Sequence, residues 1–330
     1  MIKKITSILI AMVLMFTGVG VWSTTVVRAE SSSSGSGNKL KIVATIFPEY
    51  DWTREILGDH LKDVDLTLLL DNGTDLHSFQ PAVKDIMKVS SCDLLIYVGG
   101  ESDQWIEDAL KSAANPDMKT INLMETLKDF IKEEETVEGM QEKHHSHEEN
   151  EKEYDEHVWT SLRNASAAAE VIADTLAELD PENSDIYKEN LRSYQGELSS
   201  LDNEYQKTVD QSTHKTLLFA DRFPFRYLVD DYGISYYAAF SGCSAESEAS
   251  FKTITFLAKK VDELGLKEVF TIEKSDDRIA ETVIENTRDK DQKVAVLNSM
   301  QSITSEEIAD GTTYLSIMED NLKVLKAALK

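Results

Sequence analysis

The sequence is poor in cysteine, proline and positive charge. Its 330 residues include two cysteines, five prolines and 14 glycines, so neither a disulfide-rich nor a collagen-like chain is indicated. Its 34 basic residues are outnumbered by 60 acidic ones, which gives a formal net charge of −26. This balance argues against nucleic acids and anionic lipids as partners, because both are bound by surplus lysine and arginine. Hydrophobic residues make up 41%, which is enough for the core of a folded protein.

The first 29 residues have the pattern of an export signal, so they are not counted as part of the folded domain. Two lysines precede an apolar stretch from 5 to 21, and Val27 and Ala29 occupy the −3 and −1 positions of a cleavage site. Cleavage after Ala29 is the favoured interpretation, and an uncleaved N-terminal anchor is the alternative. No cysteine follows this stretch to accept a lipid, and no second apolar run reaches membrane-spanning length. We therefore expect an exported, extracytoplasmic protein, in the periplasm or at the cell surface, either free or held by this segment.

The two cysteines, Cys92 and Cys243, are separated by 151 positions. A disulfide could form in an exported chain, but spacing alone does not bring two Cα atoms within bonding range. We expect two separate, buried small residues.

The rest of the chain alternates between short β-branched runs and helical patterns. Runs at 41–47, 65–70 and 93–98 are typical of buried strands, and helical stretches lie between them. A second series follows, with strands predicted at 215–220, 234–240, 267–273 and 292–298 and helices at 251–264, 279–288 and 312–329. Strands that alternate with helices predict parallel sheets and therefore an α/β fold.

One long amphipathic helix separates the two series. Apolar residues recur at spacings of 4, 3, 4, 3 and 4, at Tyr187, Leu191, Tyr194, Leu198, Leu201 and Tyr205. Coiled-coil pairing and packing along two lobes are both compatible with this stripe. We predict two parallel-sheet α/β lobes joined by this helix. The predicted order is a signal peptide (1–29), a flexible linker (30–39), an N-terminal lobe (40–185), the linking helix (186–210) and a C-terminal lobe (211–330).

Residues 132–156 form an acidic insertion in the N-terminal lobe. The segment has no apolar periodicity and contains His144, His145 and His147. This composition is typical of a mobile, solvated surface loop. Imidazoles among carboxylates can also collect zinc weakly, so a metal-collecting role and a loop without a defined role both stay open.

Two other histidines lie where parallel sheets bind ligands. His77 follows a predicted strand and a glycine turn, and His157 directly precedes a predicted helix. Neutral imidazole suits zinc, and a nearby carboxylate can fix its tautomer. No compact motif such as HExxH is present, so a metal site would be assembled from distant segments. The alternative for each histidine is an ordinary surface or capping role.

Several segments resemble the zinc-type (metal-binding, cluster A-I) solute-binding proteins of bacterial ABC importers. They are 41–50 (KIVATIFPEY), 77–81 (HSFQP), 93–100 (DLLIYVGG), 156–162 (EHVWTSL), 180–183 (DPEN), 232–234 (YGI) and 314–325. The resemblance covers essentially the whole mature chain. It implies two α/β lobes hinged on one long helix, with a metal in the cleft between them. His77 matches the first ligand of that family and His157 matches the second.

The sequence departs from the family pattern at the third ligand. That ligand is commonly a histidine ten residues before the Tyr-Gly pair, and here the position is Arg222, which has no lone pair to offer zinc. The C-terminal lobe must supply another ligand. The candidates are Asp221, Glu246, Glu248 and Glu273, each of which can equally be a solvated or arginine-paired carboxylate. A late acidic ligand of the family falls at Asn298, which is uncharged. Arg222 is expected to pair with one of the candidate acids and to help close the lobes.

The resemblance predicts a monomeric receptor that captures zinc and delivers it to the permease and ATPase of an ABC importer. Manganese is the alternative cargo, because a carboxylate in place of the third imidazole would favour it. A surface adhesin or metal-sequestering protein without transport is a further alternative. No segment resembles a compact catalytic signature, so an enzyme is not expected.

Overall fold

A computed structural model describes residues 39–141, 153–244 and 248–330. Within these ranges, eight strands form two sheets of four strands each. The strands are β1 (Leu40–Ala44), β2 (Val64–Leu68), β3 (Leu94–Tyr97), β4 (Lys119–Asn122), β5 (Thr216–Phe223), β6 (Ser235–Ser241), β7 (Glu268–Ile272) and β8 (Lys293–Leu297).

Helices connect and cover these strands. They are α1 (Phe47–Leu57), α2 (Val83–Ser90), α3 (Gln104–Lys111), α4 (Leu123–Thr126), α5 (Leu162–Leu179), α6 (Ser184–Asp210), α7 (Arg226–Tyr232), α8 (Phe251–Leu264), α9 (Arg278–Glu285), α10 (Ser305–Ala309) and α11 (Tyr314–Ala328). Among the described residues, no helix combines the length and apolar character needed to cross a membrane.

The two sheets share one topology. The N-terminal sheet has the order β2-β1-β3-β4 and the C-terminal sheet the order β6-β5-β7-β8, with every pairing parallel. The central strand β1 is apolar on both faces, with Ile42, Val43 and Ala44 all buried, as a helix-covered parallel sheet requires. The predicted fold of two parallel α/β lobes is confirmed.

Several local predictions need correction. The strand predicted at 41–47 ends at Ala44, because Pro48 lies in the first turn of α1, where its missing N–H costs nothing. One side-chain oxygen of Glu49 accepts the N–H groups of Thr45 and Ile46 at the start of that helix. Strand β4 and helix α7 were not predicted, since β4 is a short, largely exposed run and α7 has only seven residues.

Helix α6 carries its predicted stripe against the body of the same chain. Its six stripe residues are buried, and the helix packs against α1, α5, α7 and α11. Tyr205 stacks on Tyr232 of α7 with ring centroids 5.1 Å apart and donates a hydrogen bond to the Met318 carbonyl in α11. Intrachain packing therefore accounts for the periodicity without a coiled-coil partner.

The last helix connects the two halves of the structure. The backbone N–H of Tyr314 donates to the buried Asp51 carboxylate in α1 at 2.7 Å. Its hydroxyl donates to the Trp159 carbonyl, and the Trp159 indole donates in turn to the Ser299 carbonyl beyond β8. These hydrogen bonds thus join helix α1, the segment that contains Trp159 and the turn after β8.

Candidate metal site

His77 is held by a short turn that follows β2. The turn spans Leu76–Ser78 and is anchored by the buried Leu76. Asp75 caps it, because one carboxylate oxygen accepts the backbone N–H of His77 at 2.9 Å. The Nδ1 atom of His77 lies 2.7 Å from the Ser102 hydroxyl, so the other nitrogen, Nε2, is directed away from this anchor.

His157 is held more tightly, directly before the turn that leads into α5. One oxygen of Asp155 accepts both the backbone N–H and the ring Nδ1–H of His157, each at 2.8 Å. The imidazole is fully buried and packs edge-on against Trp159, with ring centroids 5.1 Å apart. The carboxylate fixes the tautomer in which Nε2 carries the free lone pair.

The two histidines meet at their remaining nitrogens. The Nε2 atoms of His77 and His157 lie 3.0 Å apart, although the residues are 80 positions apart in sequence. Burial and the neighbouring His157 lower the pKa of His77 to about 3. Burial also acts to lower the pKa of His157, but the carboxylates of Asp155, Glu156 and Asp75 together outweigh it and raise that pKa. Both side chains therefore direct Nε2 into one shared contact, and a cation that binds there must displace any proton held between the two nitrogens.

A third potential ligand comes from the C-terminal sheet. Cys243 follows β6, and single ligand atoms of His77, His157 and Cys243 all lie within 4.8 Å of one another. Gly242 makes this approach feasible, since a Cβ atom there would lie 2.8 Å from Cε1 of His157 and 2.9 Å from the Phe223 carbonyl oxygen. Burial and the nearby carboxylates raise the pKa of the Cys243 thiol well above its ordinary value.

Gln301 also reaches the histidine pair, from the turn after β8. Its Oε1 atom lies 3.3 Å from Nε2 of His157, and its Nε2 donates to the Ser299 hydroxyl, which keeps the oxygen directed at the imidazole. The late acidic ligand of the family falls at Asn298, three positions earlier in the chain. The Asn298 side chain instead accepts the backbone N–H of Met300.

The candidate carboxylates of the C-terminal lobe are engaged elsewhere. Glu273 accepts hydrogen bonds from the backbone and hydroxyl of Ser299, the backbone of Gln301 and the hydroxyl of Ser302. Asp221 accepts backbone N–H groups from its neighbour Arg222 and from Ile272.

Of the remaining candidates, Glu248 alone lies within the described residues, and it is not part of the group of ligand atoms found there. Glu248 is exposed and its carbonyl accepts from Gln141, whereas Glu246 lies outside the described residues. The three histidines of the acidic insertion, His144, His145 and His147, lie outside them as well.

Arg222 bridges the two lobes. Its guanidinium lies 2.7 Å from the carboxylate of Asp75, the residue that caps the His77 turn, and both side chains are about four-fifths buried. Burial alone would raise the pKa of Asp75, but Arg222 and His77 together outweigh it and hold the pKa below its ordinary value. The arginine thus pairs with an acid of the N-terminal lobe, and not with the C-terminal acids that were expected to be its partner.

Two cavities open onto His77. One has a volume of about 350 Å³ and is also lined by Asp75, Arg222 and Arg278. The other, of about 400 Å³, is lined by His77, Cys243 and acidic residues that include Glu101 and Glu156. The second cavity therefore offers a small cation a route to His77, and the carboxylates that line it raise the local concentration of cations.

Sequence reasoning overlooked Cys243 and Gln301. A signal for the cysteine was present, because it lies three residues after the end of the predicted strand 234–240, at the kind of strand end that singled out His77. No comparable signal marked Gln301, since an uncharged amide in a turn is ordinary.

Known proteins resemble this chain over most of its length. The zinc-binding protein AdcA of Streptococcus pyogenes serotype M3 is 28% identical over 302 residues, which cover 87% of this chain and 56% of AdcA. The chain therefore spans only about half the length of that relative. The high-affinity zinc uptake system protein ZnuA of Bacillus subtilis is 28% identical over 309 residues, 91% of each chain.

A solved structure shares the fold. The Zn(II)-bound ZnuA-like domain of Streptococcus pneumoniae AdcA matches with a TM-score of 0.69 and 27% identity, over 88% of this chain and 99% of that domain. A family model described as ZnuA, zinc-uptake complex component A, periplasmic, matches residues 42–328. This match includes both sheets except for the first two residues of β1, and it includes helix α6, His77, His157 and Cys243. The chain belongs to the ZnuA family.

Proposed function

We propose that this chain is the extracytoplasmic, monomeric receptor of an ABC importer, which captures zinc in its cleft and delivers it to the membrane permease and its ATPase. The observation that carries the proposal is the facing pair of buried imidazoles, His77 and His157, at 3.0 Å. Membership of the ZnuA family and relatives named for zinc binding and zinc uptake support it. A receptor is favoured over a hydrolase, because these names describe binding and uptake.

The donor set suits zinc. In each imidazole one nitrogen is anchored, by Asp155 or Ser102, and the other is aimed at the shared centre, as is usual for metal-binding histidines. Two nitrogens bound to one tetrahedral zinc lie about 3.3 Å apart, so the 3.0 Å pair would separate by only a few tenths of an ångström. The displaced proton would leave to solvent. Gln301 supplies a neutral oxygen beside them.

The surroundings favour zinc over manganese. Manganese prefers carboxylate and other oxygen ligands, whereas imidazole suits zinc. Two candidate carboxylates of the C-terminal lobe, Asp221 and Glu273, already accept at least two hydrogen bonds each. Recruiting either for manganese would cost those bonds. Zinc binding needs no such rearrangement.

Capture and release follow from the division of the site between lobes. His77 and His157 belong to the N-terminal lobe, and Gln301 approaches from the C-terminal one, so a bound ion would bias the molecule toward closure. The Arg222–Asp75 pair already bridges the lobes beside His77. Delivery would require the permease to separate the lobes.

The histidines of the acidic insertion would collect zinc for the cleft, a role that deletion of residues 142–150 tests.

A titration with matched variants tests the proposal. Chelator-stripped protein is titrated with zinc and with manganese, in the wild type, in the His77→Ala/His157→Ala variant and in a control that removes two other imidazoles, His60→Ala/His214→Ala. We expect one tight zinc equivalent in the wild type and the control, and none in the cleft variant. Tight zinc binding that survives in the cleft variant would refute the cleft assignment, and preferential manganese binding would refute the choice of metal.

Transport is tested separately in cells. Loss of the gene should impair growth in zinc-depleted medium, and zinc should restore it. An adhesin or sequestering protein without transport predicts growth that does not depend on the gene under those conditions.

A further inference from the structure

We propose that the Cys243 thiolate is the third protein ligand of the bound zinc, in place of the imidazole that Arg222 cannot supply. This inference rests on the proposed function, because it concerns the same site. Zinc sites in proteins have at least three protein ligands, and the histidine pair provides only two. Arginine offers no lone pair, and its guanidinium is already paired with Asp75.

The geometry favours the cysteine over the acids considered above. Within the described ranges, the ligand atoms of His77, His157 and Cys243 form a group in which no two are more than 4.8 Å apart. A tetrahedral zinc holds sulfur and nitrogen ligands about 3.6 Å from each other, with zinc–sulfur bonds of about 2.3 Å. Closing the group around an ion therefore requires a movement of about 1 Å, which side-chain rotation can supply.

The local backbone keeps the thiol at the site. Gly242 directly precedes Cys243, and any Cβ at Gly242 would meet the His157 ring and the Phe223 carbonyl oxygen at less than 3 Å. The glycine thus lets the end of β6 pass against the imidazole, and the next residue in the chain is the cysteine. The thiol also lines the cavity of about 400 Å³ that reaches His77, so an ion can reach both side chains from solvent.

Other roles for this cysteine find less support. Both thiols are free, and Cys92 is buried in the N-terminal lobe, where its sulfur contacts the Val89 carbonyl oxygen at 3.2 Å. Cys243, in contrast, is only partly buried, and its sulfur lies within 4.8 Å of a nitrogen of each imidazole. On binding, the S–H bond breaks, its proton leaves to solvent, and the sulfur lone pair binds zinc without any change of oxidation state. A thiolate also makes the site prefer thiophilic ions and disfavour manganese.

The test uses the full chain in a reduced state, with cobalt(II) as a spectroscopic substitute for zinc. The Cys243→Ser variant is compared with the wild type and with Cys92→Ser, which removes the other thiol. We expect the wild type and Cys92→Ser to show near-ultraviolet thiolate-to-cobalt charge-transfer absorption, and Cys243→Ser to lack it. Zinc affinity, measured by chelator competition, should fall at least about 100-fold in Cys243→Ser. Mutation of a residue that only hydrogen-bonds to a metal ligand already lowers metal affinity about 10–100-fold, and loss of a ligand itself should cost more.

A second measurement needs no variant. Zinc should slow alkylation of Cys243 in the wild type at least about tenfold, as followed by mass spectrometry, with Cys92 as the internal reference. The inference is overturned if the wild type lacks the absorption, if Cys243→Ser keeps wild-type affinity, or if zinc leaves the alkylation rate unchanged. Loss of zinc binding in His77→Ala/His157→Ala with unchanged binding in Cys243→Ser would overturn this inference alone. Binding that survives the histidine variant would instead overturn the proposed function.

Discussion

Replacement of the buried Glu49 by glutamine should flatten the dependence of stability on pH. Glu49 is fully buried at the carboxyl edge of the N-terminal sheet, where one oxygen accepts from Thr45 and Ile46. Within the described part of the chain, its other oxygen has no hydrogen-bond partner. Burial, and to a lesser degree the charge of Asp103, raise the pKa of Glu49 from 4.5 to about 8. The folded protein therefore holds this carboxyl group in its neutral form at pH 7.

The sign and size of the effect follow from linkage. Between the unfolded value of 4.5 and the folded value of about 8, the folded state binds more protons than the unfolded one, so the free energy of unfolding falls as pH rises. The stabilising contribution is full below pH 4.5 and is lost as pH approaches 8. With about 1.4 kcal/mol per pH unit, the loss between pH 5 and pH 8 amounts to at most about 4 kcal/mol.

Urea unfolding at pH 5 and pH 8 measures this loss. Glutamine keeps an oxygen for the Thr45 and Ile46 donors and cannot ionise. Between pH 5 and pH 8, the free energy of unfolding should therefore fall by at least about 2 kcal/mol less in Glu49→Gln than in the wild type. Glu170→Gln, on the exposed face of α5, is the matched control and should keep the wild-type slope. A Glu49→Gln variant with the same slope as the wild type would show that Glu49 is already ionised in the folded protein.

Three further predictions concern the site. Gly242→Ala should weaken zinc binding at least about tenfold in a chelator competition, because the new methyl group would displace the His157 ring. Unchanged affinity would show that the backbone at Gly242 does not lie so close to that ring. Asp155→Asn should weaken zinc binding about 10–100-fold through loss of the carboxylate that orients His157, and equal affinity by the same assay would refute this role. Arg222→Ala should expand the metal-free protein in small-angle scattering and zinc should restore its compactness, whereas an unchanged radius would mean that the pair with Asp75 does not hold the lobes together.

Most of the fold could be predicted because its strands carry a strong local signal. The apolar run around Ile42 and Val43 becomes β1, buried on both faces, and the stripe from Tyr187 to Tyr205 becomes the buried side of α6. Strand β4 gave no such signal, because in its sequence Lys-Thr-Ile-Asn only Ile121 is buried. An edge strand depends on its neighbour for register, and its own residues then need little apolar character.

The candidate site was only half predictable, for a different physical reason. The expectation for His77 and His157 came from residues within each segment and from the family resemblance. The approach of Cys243 depends on tertiary packing, since it requires Gly242 to pass against an imidazole 85 positions earlier in the chain. The partner of Arg222 was also mispredicted, because the sequence does not reveal that Asp75 of the other lobe lies opposite it.

The hydrogen bond between Tyr314 and Asp51 also bears on the order in which the molecule can fold. These residues are 263 positions apart, and the buried carboxylate near the start of the chain receives its backbone donor from the last helix. The first lobe thus cannot reach its final, fully bonded state until nearly the whole polypeptide has been synthesised. Closure over so long a sequence distance slows folding. We propose that this chain is exported. Slower folding would then keep the polypeptide incompletely folded for longer, and an incompletely folded chain can still be threaded across a membrane.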